Sequence, residues 1–263
     1  MAYSTAVTTF PSGAVTQNPT FAAAVAPVLA SPTNRQINSE MKTRVNDVNQ
    51  GLSAQIDWTF PGHQLTSITA LRQWDNHQFQ DQDRLGTLYR GFNRLADEGT
   101  LDFEQKSQEL RIASTGKGFV DYVAGLFYIE GKNDEVYRRD TTRCAASTEP
   151  ALPNGLVPCT PATTTVETGI ATYGVRSKSA SVFGEGTFHF SPSLRAIAGL
   201  RYTNDDLSYY HGRQSTAAAP GIGATRATVR GSTTEDAVSG RIGPQIELGK
   251  DSMAYATYSK GYK

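Results

Sequence analysis

"VFGEGTFHFSPSLRAIAGLRY", residues 182–202, places Glu185, His189, Arg195 and Arg201 on one parity of the chain. Farther on, "VSGRIGPQIEL" adds Arg241 and Glu247. Carboxylate, imidazole and guanidinium groups on one wall suit an ionic ligand, or they pair with one another across strands as hydrated interior residues. Glu185, His189, Arg201, Arg241 and Glu247 are therefore the ligand-contact candidates. Nothing in the pattern points to catalysis. His63, His77, His189 and His211 lack the spacing of a metal centre or a triad. "DNHQFQDQDR" gathers Asp75, His77, Asp81 and Asp83, either as a cation site at a rim or as a solvated strand end. "GIGATR" at 221–226 lacks the third glycine of a dinucleotide loop. No cofactor, metal or catalytic residue is expected.

Strands must position these groups. In 182–202 the opposite parity reads Val182, Gly184, Gly186, Phe188, then Leu194, Ala196, Ala198, Leu200, Tyr202, with Ser191, Pro192 and Ser193 between the runs. Period two on both sides of a short turn means a hairpin. Six further runs share the pattern. They end near Phe60, span about Gln64–Asp81, about Phe103–Ser114 and "FVDYVAGLFYIEG", and close with "VSGRIGPQIEL" and "MAYATYSKGYK". Pro244 removes a ladder donor from the seventh run and suggests a local bulge there. Residues 1–40 show no strand alternation, and at most a short helix around Phe21–Val25.

The connections alternate. "PGH", "TGKG", "SPS" and "GKDS" are short; roughly 82–102, 141–176 and 206–235 are long and polar. A sandwich has loops at both ends, whereas an outer-membrane barrel has short turns on one side and long loops on the other. Several runs sustain their pattern over the ~9–11 residues a tilted strand needs to cross a bilayer. Trp58, Phe60, Phe188 and Phe190 lie beside short turns, and Tyr202, Tyr209 and Tyr210 toward a long loop, like aromatic girdles. The expected fold is an all-β, antiparallel up-and-down transmembrane β-barrel, incomplete, with about eight strands of a larger barrel. Val182, Phe188, Ala196, Ala198, Leu200 and Ile242 should face lipid, and the charged candidates a wet lumen.

"QELRIAS", "YVAGLFYIEG", "SVFGEGTFHFSPSLRAIAGLRYTND", "SGRIGPQIEL" and "YATYSKGYK" resemble, in order and spacing, the barrel of TonB-dependent outer-membrane receptors. The resemblance covers roughly 50–263. It implies a location in the Gram-negative cell outer membrane and active uptake of a scarce nutrient, such as a ferric siderophore, as a small-molecule ligand. It also implies the TonB complex, a plug domain and outer-membrane lipid as partners. The sequence shows no plug. The expected organisation is an irregular segment or extracellular loop over 1–49 and a partial barrel over 50–263, read as a fragment of a larger protein. The alternative is a soluble or porin-like β-rich binding or diffusion protein.

Composition agrees. The 25 basic and 25 acidic residues balance, so no charge excess points to nucleic acid. A hydrophobic content of 38% suits a barrel in which alternate strand residues are apolar. The run "FAAAVAPVLA" is too short for a membrane helix and contains Pro27. The two cysteines, Cys144 and Cys159, bracket a Pro-rich loop. In an oxidising compartment a disulfide there would contribute about 3 kcal/mol. In a reducing one they would be free thiols, and no second ligand pair suggests zinc.

Overall fold

The structure is a computed structural model that describes residues 7–9, 15–17, 19–28, 31–116, 118–216 and 221–262. Two short strands, β1 (Val7–Thr9) and β2 (Val15–Gln17), pair with each other ahead of helix α1 (Pro19–Val25). Three-residue strands are too short for alternation to register, which is why 1–40 reads as irregular. Then come β3 (Arg44–Phe60), β4 (His63–Asp81), β5 (Asn93–Ser114), β6 (Val120–Arg143), β7 (Thr165–His189), β8 (Leu194–Ser215) and β9 (Arg226–Gly249). Two short pieces end the sheet, β10 (Ser252–Tyr255) and β11 (Tyr258–Lys260), both paired with β9.

These nine strands form one antiparallel meander in chain order, with β3 at one edge and β10 and β11 at the other. Among the described residues the edges do not pair, so the sheet is open. The short connections after β3, β7 and β9 fall where the sequence puts them, and the turn expected at 115–118 includes Lys117, which lies outside the described residues. Pro61–Gly62 turns β3 into β4, with Gly62 at φ 79°, a conformation open to glycine and strained for other residues.

The strands are longer than their alternation suggests. β5 starts at Asn93 rather than near Phe103, and β6 runs on to Arg143. The loops contract to 82–92, 144–164 and 216–225, and β3 begins at Arg44, ahead of the boundary expected at 50. The added halves are polar on both faces, so they carry no period-two hydrophobic signal. Their hydrogen-bond ladders are nevertheless continuous.

Pro244 produces no bulge between β8 and β9, where it lies opposite Ala196 in unbroken register. The irregularity sits in the neighbouring strand. Register shifts at Ser252/Met253, and the chain parts between β10 and β11, where the Ala256 amide donates to the Pro244 carbonyl at 3.2 Å.

The buried apolar core lies in the loops rather than on the sheet. Ala24, Val25 and Val28 pack on Leu85 and Leu156, flanked by Phe21, Tyr89 and Phe92. α1, the 82–92 loop and the 144–164 loop thus share one small core, and each of its larger aliphatic side chains contributes about 1.5–3 kcal/mol. A disulfide joins Cys144 to Cys159, with Cα atoms 6.4 Å apart. Backbone bonds from Gly91 N to Cys144 O and from Cys159 N to Leu88 O tie the two loops beside it.

Candidate functional site: the inner wall of the sheet

Ladder register decides which side chains share a face. Glu185 stands opposite Gly199, which stands opposite Arg241; Phe183, Arg201 and Ser239 form the next such row. On the alternate rows, Val182 faces Tyr202 and Val238, and Gly186 faces Ala198 and Ile242. The ligand-contact candidates therefore share one face, and the six residues expected to meet lipid share the other.

The two faces differ in exposure as the two sides of a curved sheet should. Along β5 from Thr100 to Leu110, even-numbered residues are exposed and odd-numbered ones are partly covered. The face bearing the charged candidates is the sheltered, inner one. On the outer face Leu126, Val182 and Leu200 lie in the middle of the sheet yet are 57%, 50% and 68% exposed. Apolar residues hold this face from Val120 to Tyr128, from Leu194 to Tyr202 and from Val238 to Ile246, each a length that crosses a bilayer. Past the belt the outer face turns polar at Lys106, Glu130, Lys178, Asn204 and Asp236. Trp58, Phe188, Tyr128 and Tyr202 mark its borders. Tyr209 does not join them, because its register with Val175 and Gly231 puts it on the inner wall.

The inner wall holds its charges in discrete arrangements. Arg241 grips Glu185 with two bonds of 2.6 Å, reaching across Gly199. A Cβ at Gly199 would lie 3.0–3.2 Å from the Glu185 side chain, so the glycine clears the space between the partners. Arg201 has its guanidinium 5.6 Å from the ring centroids of both Phe127 and Phe183, a double cation–π arrangement, and donates to Thr203 Oγ1 at 3.3 Å. Nearer the short turns His189 meets Asp121 at 2.8 Å, and Arg195 meets Glu247 at 2.5 Å. Two of the five candidates thus come together, Glu185 with Arg241. His189 and Glu247 pair with other residues, and Arg201 packs on rings.

The sequence reading missed the cluster on the inner wall toward the loops. Asp97, nearly buried, accepts from Arg139 Nε and Nη2 at 2.7 and 2.6 Å and from Tyr137 Oη at 2.6 Å. These residues sit in the polar strand halves, where the only available sequence signal was the alternation of Asp97 and Tyr137 with charged neighbours.

The acidic stretch 75–84 serves structure. Asp81 accepts from Ser39 Oγ and from the Arg84 amide, and Asp83 accepts from the Leu85 and Leu95 amides at 2.9 and 2.5 Å. Burial pushes the Asp83 carboxyl above its usual range against those bonds. Glu40 is raised mainly by burial, opposed by the nearby Arg94. Among the described residues no three His, Cys, Asp or Glu side chains converge as metal ligands.

An antiparallel meander with an apolar outer belt, a charged inner wall and loops gathered at one end defines a transmembrane β-barrel wall. The TonB dependent receptor-like, beta-barrel family matches residues 2–263, and the chain belongs to that family. In structure the chain is similar to the ferric yersiniabactin uptake receptor FyuA from Yersinia pestis. The TM-score is 0.57 at 18% identity, over 82% of this chain and 28% of that one. It is also similar to the siderophore receptor PiuA from Acinetobacter baumannii, with a TM-score of 0.52 at 13% identity, over 82% and 32%. The chain therefore spans about a third or less of those receptors' length. No curated protein matches it in sequence.

Proposed function

We propose that this chain forms part of the wall of an outer-membrane receptor that imports a scarce small-molecule nutrient, a ferric siderophore or a similar chelate. A plug domain would fill the lumen, and the TonB complex would supply energy. The observation that carries this reading is the pairing of an apolar outer belt with a charged inner wall on one continuous sheet, in a chain matched end to end by the receptor barrel family. Of the structurally similar proteins, one is described as a ferric yersiniabactin uptake receptor and another as a siderophore receptor. A passive pore of eight strands fits less well, because β3 and β10 do not pair with each other among the described residues.

The test is uptake of iron-55 chelates by cells with and without the receptor, and with and without TonB. Accumulation of one chelate that needs both is the expected result. Uptake that is unchanged when either is removed, across a panel of chelates, contradicts the reading.

A further inference from the structure

We propose that residues 221–223, between β8 and β9, lie as a seated strap on the loop-side end of the inner wall, independently of any ligand, so that the strap and not the wall beneath it lines that part of the mouth. The proposal rests on the facing of the two sides of the sheet. The wall there is shaped to receive a chain. Arg139, Gly169 and Ser215 stand in one row across β6, β7 and β8, and Tyr137, Ala171 and Arg213 in the next. The middle strand thus offers a glycine and an alanine between two arginine-bearing neighbours, a trough with a low floor and long side walls. The strap fills it. Arg213 Nη1 donates to the Ile222 carbonyl at 2.8 Å, a charge-assisted bond. Gly221 and Gly223 flank Ile222 at φ 81° and 92°, left-handed conformations that glycine adopts freely. Glycine is also needed for space. A Cβ at Gly221 would sit 3.2 Å from Arg139 Cδ and 3.6 Å from Thr141 Oγ1, and one at Gly223 2.6 Å from Arg213 Nη1. Three residues therefore reach β6 at one end and β8 at the other, spanning β7.

Burial reports the cover. Ala171 is 7% exposed, whereas Val175, on the same face of the same strand and four residues toward the belt, is 43% exposed. Thr141 is 2% exposed although it lies two residues from the end of β6. Arg213 Nε is shut off from solvent. Exposure thus falls toward the rim, the reverse of a bare strand end. Both stems of the loop are pinned as well, Ser215 N donating to Thr225 Oγ1 at 3.0 Å and Thr216 N to the Thr168 carbonyl at 3.0 Å. Segments that open easily have few contacts with the rest of the fold, and this one is tied at each end. Arg139, held by Asp97 with two bonds, is then the seat of the strap rather than a ligand contact.

The experiment labels single introduced cysteines in the intact receptor on whole cells with a membrane-impermeant maleimide, with no ligand added. Cys144 and Cys159 are bonded to each other, so neither reacts. Ala171→Cys lies under the strap. Val229→Cys, at a position 41% exposed on the same wall and one row away, is the uncovered reference. Ala171→Cys is expected to react about tenfold more slowly, since labelling follows the fraction of time the trough stands open. Release from either end should bring its rate close to the reference. Arg213→Gln removes the bond to Ile222, and Gly221→Val forces a branched side chain into a left-handed conformation against Arg139. Retention of the heat-modifiable barrel band on gels reports that each variant is folded, and either release variant alone suffices. Ala171→Cys that reacts as fast as Val229→Cys, or that stays slow in a folded release variant, overturns the proposal. Labelling of Val182→Cys as fast as Val229→Cys overturns the facing of the sheet instead, and the proposal falls with it.

Discussion

Arg201 and Ala198 lie three positions apart and face opposite ways. Ala198 stands on the outer face between Gly186 and Ile242. An arginine there would meet hydrocarbon at a cost of roughly 2–4 kcal/mol at the bilayer midplane. Ala198→Arg is expected to abolish or strongly reduce the heat-modifiable barrel band, and Arg201→Ala to leave it intact. Equal assembly of the two variants would contradict the facing. The Glu185–Arg241 pair is partly open to solvent, so a double-mutant cycle should give a coupling of about 0.2–1 kcal/mol. A much larger coupling would mean a drier wall than this geometry has. Asp83 gives a pH test. Its folded carboxyl binds a proton more tightly than the unfolded one, so protonation stabilises its corner. That contribution is complete below the ordinary carboxylate range and is lost as pH rises through the raised folded value. Protection of the Leu85 and Leu95 amides, corrected for intrinsic exchange, should therefore increase on acidification; a decrease would contradict the assignment.

At the scale of elements, the loops behave as one packed unit, since α1 and the 82–92 and 144–164 loops bury a common core next to the Cys144–Cys159 bond. Replacing both cysteines with serine removes about 3 kcal/mol of loop constraint in the chain-entropy model. Faster proteolytic nicking within 145–158 is expected, while the barrel band persists. Loss of the barrel band would mean that the loop unit supports the sheet itself. The membrane-crossing half of each long strand was readable in the sequence because its outer parity is continuously apolar, as in Leu194 to Tyr202. The loop-side half was not, because residues such as Glu135, Arg138 and Asp140 put charge on both parities while backbone pairing alone extends the strand. For the same reason Glu185 and Arg241 were found, and Asp97, Tyr137 and Arg139 were not. Pro244 was read as a disturbance within its own strand. It keeps its register with Ala196, and the break appears in the next strand instead. Pairing partners cannot be read from one strand's own pattern.

For the molecule as a whole, the account turns on what meets the outer face. Leu126 and Leu200 are each more than half exposed in the middle of a paired sheet, and such a belt is stable in lipid but not in water. The most direct measurement places single nitroxide labels at Leu126, Val182, Leu200 and Ile242, and at Glu185, Arg201 and Ser239, in the receptor reconstituted into bilayers. Collision with oxygen, which partitions into lipid, is then compared with collision with a water-soluble nickel chelate. The account predicts oxygen-dominated relaxation at the first four positions, and at the last three a shift toward the nickel chelate or shielding from both reagents. Oxygen-dominated relaxation at Glu185, Arg201 and Ser239, with nickel access at Leu126 and Leu200, would contradict it.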